Sequence, residues 1–223
     1  MLLPMPSLAE SSGKTETKDP DVTWGSASAM GCMMLRECVE GVSKVEVAED
    51  FRTVDGLKED EWINSKAEVQ ALLDQLKAAG VEVYIGPGKY FMPLTRGVYK
   101  SDLNRMFFNE DYMALPSTVL KVLRHEAWHA AQDCMAGTID NNFIVIIMPP
   151  DQIPMIHNEM VDRTYTGAYA SAAPWEKEAH WAAAVPWMTT DALEACTNDK
   201  PMWEQYEPTP LTRQYLVDHG FIS

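Results

Sequence analysis

Along SKAEVQALLDQLKAAG the apolar residues Val69, Leu72, Leu73 and Leu76 recur three and four positions apart, which predicts a helix with one buried face. Ser65 and Glu68 have the spacing of a capping box that would start this helix, and Gly80 would end it. VEVYI then reads as a strand, and the GPG of Gly86 to Gly88 as a turn. GVYKSDLNRMFFNEDY carries β-favouring aromatics around Arg105 to Asn109 and predicts a further strand or hairpin. In LPSTVLKVLRHEAWHAAQDCMAG, Pro116 and Ser117 mark the start of a long helix and Gly137 its end. Leu120, Leu123, Ala127, Ala131 and Cys134 form one apolar arc on it, and two histidines, His125 and His129, fall off that arc.

Towards the N-terminus, SASAMGCMMLRECVEGV has the propensity and spacing of a buried helix whose methionines fill the core. FIVIIMPP is a short apolar run stopped by Pro149 and Pro150, and its pattern fits a strand or a buried turn of helix equally. APWEKEAHWAAAVPW predicts a helix from Pro174 to near Pro186, with Glu176 and Glu178 in a first turn where carboxylates are favoured. TTDALEAC and PLTRQYLVDHG read as short peripheral helices. Strands in the first half and helices in the second predict an α+β fold: a small mixed β-sheet with a mainly helical C-terminal part. Residues 1–23 lack apolar periodicity and read as a flexible N-terminal arm, leaving 24–223 as one domain.

Composition narrows the partners. With 33 acidic against 18 basic residues the formal charge is -15, which argues against a nucleic-acid surface. No apolar run is long enough to span a bilayer, and the opening residues lack a basic n-region and a full h-region, so the expectation is a soluble, unexported, cytoplasmic protein with no membrane partner. Cys32, Cys38, Cys134 and Cys196 show no CxxC spacing and are sparse for a disulfide framework, so buried free thiols are expected.

The candidate chemistry lies inside the long helix. His125-Glu126-Ala127-Trp128-His129 is an HExxH sequence, and residues four apart share a helix face, so both imidazoles can reach one ion while Glu126 reaches a water beside it. A hydrolytic zinc centre holds three protein ligands and leaves one open position, so a third ligand is needed. Glu176, at the start of a later helix, is the leading candidate; Glu178, Asp140, His180 or no third ligand at all are the alternatives. Asp133, one turn after His129, would crowd the pair and is expected to orient a histidine N–H or to be solvated. Candidates to donate a hydrogen bond to a developing oxyanion are His157, Tyr165 and Tyr169.

These residues resemble those of the gluzincin metallopeptidases, in which an HExxH helix is followed by a glutamate ligand on a later helix, often in an E-x-x-A-D pattern whose Asp supports a histidine ligand. Here the chain reads Glu176-Lys177-Glu178-Ala179-His180, so Glu176 aligns with the ligand while His180 stands where the Asp is expected, and Glu178 is the nearest substitute for that Asp. The resemblance covers about 75 residues and implies a zincin-like fold, Zn²⁺ held by His125, His129 and Glu176, Glu126 as general base, and a peptide or protein substrate. It also implies that the strand before the active-site helix, LNRMFFN, is the sheet edge on which extended substrate pairs. GTIDNNF looks like a fragment of the aspzincin signature, which is what brings Asp140 into consideration. HEAWHAAQD is similar to uncharacterised zincin-like proteins of phages and cyanobacteria, which implies a virion-associated location as an alternative. The competing expectation is a non-catalytic interaction protein that retains a zincin fold and joins a larger assembly through its N-terminal arm.

Overall fold

The computed structural model describes residues 22–54, 56–141, 143–198 and 209–222, so the arm expected at 1–23 falls almost wholly outside the described residues. The elements in chain order are α1 (Ala27–Met34), β1 (Ser43–Val45), α2 (Glu59–Ala78), β2 (Glu82–Gly86), β3 (Gly97–Lys100), β4 (Arg105–Asn109), α3 (Pro116–Met135), α4 (Met155–Thr164), α5 (Ala173–Ala182), α6 (Met188–Thr197) and α7 (Arg213–Asp218). The result is the mixed α+β arrangement expected from the sequence.

The four strands form one mixed sheet in the order β1-β2-β4-β3, with β2 parallel to β4 and the two outer pairs antiparallel. Alternation along the strands sends Val83, Ile85, Met106 and Phe108 to one face and Tyr84 and Phe107 to the other. The first set packs with Leu72, Leu76, Leu123 and Trp128 of α2 and α3 in the main core. The second joins Met33, Tyr90 and Phe91 in a smaller core beneath α1, whose methionines are the packing residues expected of them.

The sheet order corrects one expectation. β4, the LNRMFFN segment, is interior, paired on both sides; the edge beside the long helix is β3, residues GVYK. GVYKSDLNRMFFN is a hairpin, and its first arm is the outer one.

α2 starts at Glu59, six residues before the expected capping box. Ser65 is therefore mid-helix and Glu68 meets a buried arginine instead: Arg124 donates to it through Nε at 2.7 Å and Nη2 at 2.5 Å. An S-x-x-E pair spans one helical turn wherever it occurs, so its spacing alone does not locate a start. Trp62, 4% exposed and packed on Phe51, extends the buried face into the turn upstream. Glu68 also accepts from the Trp187 backbone N–H at 2.7 Å, so one bidentate pair ties α2 and α3 to the turn before α6.

The other half is helical. α6, expected to be peripheral, packs against both α2 and α3 with Ala192 and Leu193 fully buried. The expected free thiols are paired: Cys32 with Cys38 across the end of α1, and Cys134 with Cys196 across the ends of α3 and α6, at Cα separations of 5.2 and 6.1 Å. Cysteines 62 positions apart carry no local signal of partnership, and only the packing of α6 on α3 brings this pair together. Such cross-links are rare in a reducing cytosol, so the expected cytoplasmic location draws no support from them. Among the described residues no helix is long and apolar enough to cross a membrane.

Candidate metal centre

α3 is central to the fold: Leu123, Ala127, Trp128 and Ala131 are fully buried, which sets its rotation and leaves His125 and His129 on the side that faces α5. The two rings stand edge-on with centroids 5.1 Å apart, as expected one turn apart on a helix. Pro174 sits in the first turn of α5, where its missing N–H is harmless, and that turn carries Glu176 to the histidines. Glu176 Oε2 is 3.2 Å from His125 Nε2, and Oε1 is 3.5 Å from His129 Nε2. Among the described residues these are the three acidic, histidine or cysteine side chains whose ligating atoms lie within 4.8 Å of one another.

The donor set fits a divalent cation. Two ligands of a tetrahedral ion with bonds of about 2.0 Å lie about 3.3 Å apart, close to both separations here. Glu176 Oε2 is buried, with the His125 ring nitrogen at 3.2 Å as its near polar neighbour. Burial alone would push the Glu176 carboxyl up, but the two imidazoles hold it well below the ordinary range. Burial likewise lowers His129, and Glu176, with Glu126 and Gln132, more than reverses this, to about 9. A carboxylate and two imidazoles thus face a shared space in which a positive charge is favoured.

Glu126 lies to the side, 8% exposed, with Oε2 accepting the Tyr99 N–H of edge strand β3 at 2.9 Å. Burial pushes its carboxyl up, against the nearby histidines. The strand approaches this closely because position 97 is glycine: a Cβ there would lie 2.6 Å from Val122 Cγ1 and 3.0 Å from Glu126 Cγ. A cleft of about 420 Å³ opens over the site, lined by Arg96, Gly97, Lys121, Tyr165 and His180 together with His125 and Glu126.

The remaining candidates separate cleanly. Glu178, weighed as a third ligand, is 1% exposed and fully engaged elsewhere, accepting from Trp128 Nε1, Gln132 Nε2 and the backbone N–H groups of Ile147 and Met148. Burial pushes its carboxyl up and the four donors pull the other way. Asp140 is exposed and bonds Asn104, away from the histidines. His180 lies with its ring 5.6 Å from that of His125 and lines the cleft; burial, then the His125 and Lys121 charges, lower it to about 4, so it is neutral at pH 7. Asp133 neither orients a histidine nor meets water: it is fully buried and accepts from the Tyr99 hydroxyl at 2.7 Å. Gln132 takes the place expected of it, its Oε1 lying 2.8 Å from His129 Nδ1.

Of the three oxyanion-donor candidates, Tyr165 reaches the cleft, at the C-cap of α4. Burial and the adjacent Glu176 charge raise its hydroxyl well above the ordinary range, so it keeps its proton. Tyr169 is 65% exposed, and His157 is half-buried with an unpartnered Nδ1.

FIVIIMPP is neither strand nor α-helix: residues 143–149 carry no regular secondary structure, and Pro150 opens a short 3-10 turn. Its N–H groups end on Gln132 O, Leu211 O and the Glu178 carboxylate, which accounts for a buried backbone without a ladder. Sequence reasoning missed Gln132, Gly97 and Tyr99; the available signal for Gln132 was its position one turn after His129 on the same helix. No family model, no curated protein and no solved structure matches the chain, so the reading of this site rests on its own geometry.

Proposed function

We propose that this protein is a zinc-dependent metallopeptidase. The observation that carries the reading is the convergence of His125, His129 and Glu176 within 4.8 Å, with His125 and Glu126 lining one cleft. Zn²⁺ bound by these three side chains would supply Lewis acidity towards water and the substrate carbonyl. Glu126 takes the proton of the attacking water on its carboxylate and passes it to the leaving amine, and a carboxyl raised by burial is suited to holding that proton in between. Tyr165, kept protonated beside Glu176, donates a hydrogen bond to the developing oxyanion. Residues 93–97, which lead into edge strand β3, line the cleft, where an extended peptide backbone can lie beside them.

The test is zinc content and peptide hydrolysis for the wild type, Glu126→Gln and Glu176→Ala. Glu126→Gln should keep the metal and lose hydrolysis, and Glu176→Ala should lose both. A wild type that retains no zinc after purification without added metal, and cleaves no peptide in zinc-supplemented buffer, would favour the non-catalytic assembly protein instead.

A further inference from the structure

We propose that Gln132 is a positioning residue for His129: clamped by Glu178, it accepts the Nδ1 proton and so keeps the ring turned with Nε2 towards Glu176. This rests on the reading of His129 as a metal ligand, although the hydrogen-bond logic stands without a metal.

Gln132 is fully buried, and its side-chain nitrogen donates to Glu178 Oε2 at 2.8 Å and to the Trp175 carbonyl at 3.2 Å. Both partners accept only, so the amide has no alternative orientation. Its Oε1 is thereby left facing His129 Nδ1 at 2.8 Å, and a carbonyl oxygen can only accept. Nδ1 therefore carries hydrogen, and Nε2 is the nitrogen presented to Glu176.

Glu178 is what fixes the clamp. Its other bonds, from Trp128 Nε1 at 3.1 Å and from Ile147 and Met148 N–H at 2.8 Å each, join α3, α5 and the FIVIIMPP segment around one carboxylate. A neutral amide at 132 is the side chain that suits this arrangement, because it donates to one anion while accepting from the imidazole. A carboxylate there would set two negative charges within hydrogen-bond distance. Removing a partner that orients a metal-ligating histidine typically costs about 10–100-fold in metal affinity.

The experiment combines imidazole N–H exchange by NMR on the metal-free protein with Zn²⁺ affinity by chelator competition. It compares the wild type, Gln132→Met, and the double exchange Gln132→Glu with Glu178→Gln, which keeps the charge and restores an acceptor to Nδ1. The wild type should show a slowly exchanging N–H on His129 Nδ1. Gln132→Met should lose it and bind Zn²⁺ about 10–100-fold more weakly, and the double exchange should recover both. The inference is overturned if Nδ1 of the wild type carries no protected proton, a result that needs no variant to fold. It is overturned equally if Gln132→Met keeps that proton protected from exchange or keeps the full affinity. A protected proton in a wild type that binds no Zn²⁺ would uphold the orientation of His129 and remove the metal-centre reading instead.

Discussion

Replacing Gly97 by alanine tests whether the close approach of β3 to α3 sets the position of Glu126. The added Cβ would stand 2.6 Å from Val122 Cγ1 and 3.2 Å from Glu126 Oε1, whereas ordinary carbon contacts are about 3.5–4.0 Å. Val122 is β-branched on a helix, where one rotamer is strongly preferred, so it does not swing away cheaply. Relief requires the strand to withdraw by about 1 Å. That takes the Tyr99 N–H from 2.9 Å to beyond hydrogen-bond reach of Glu126, freeing the carboxylate from its one observed backbone donor among the described residues. Overpacking of this kind costs about 1–3 kcal/mol. Displacing a catalytic group by about 1 Å costs about 10²-fold in rate. Urea unfolding would measure the first quantity, exchange of the Tyr99 amide proton the withdrawal, and zinc-supplemented peptide hydrolysis the last. Gly31→Ala is the control, since a Cβ there meets nothing within 4 Å inside α1, and it should gain about 0.5–1 kcal/mol. A Gly97→Ala protein with wild-type stability and a protected Tyr99 amide would refute the reasoning.

Arg124→Met should cost about 3–5 kcal/mol by leaving Glu68 buried without its cation, while adding Glu68→Met should recover most of that loss; thermal or urea denaturation of both variants measures it. Removing the Cys134–Cys196 cross-link by the double serine variant should cost about 4 kcal/mol from the closed 62-residue separation, and about 2 kcal/mol is expected for Cys32–Cys38, read as urea midpoints. Burial, opposed by the Tyr99 hydrogen bond and aided by Asp140, raises Asp133 from the ordinary 3.8 to about 7. The folded chain therefore holds a proton that the unfolded chain releases, and stability should fall as pH rises from about 4 to about 7. Asp133→Asn should flatten that stretch of the stability profile and be more stable than the wild type at pH 8, as urea titrations across the range would show.

How much was legible in the sequence depended on whether the deciding interaction was local. The spacing of His125 and His129 is a property of one helix, so their shared face followed once the Pro116 to Met135 segment was recognised. The buried face of Val69, Leu72 and Leu76, the β2 strand and the β3–β4 hairpin were likewise readable from periodicity. Glu176 was reachable through a resemblance rather than through any local rule, since 47 positions separate it from His129 and only the packing of α5 on α3 brings them together.

The tertiary structure alone decided the rest. Which arm of the hairpin forms the edge depends on β4 finding β2, a parallel pairing with no signature in either strand. In the sequence Glu68 reads as a capping-box partner and Glu178 as a first-turn carboxylate and candidate ligand, yet each is buried because several donors from distant segments arrive at it together. FIVIIMPP was ambiguous because an apolar run records only that it will be buried; where its N–H groups end is settled by the carboxylate it meets. Local sequence determined the elements and the histidine face, whereas the polar partners inside the fold depended on long-range packing, because a buried charge is stable only where its complement is delivered by another part of the chain.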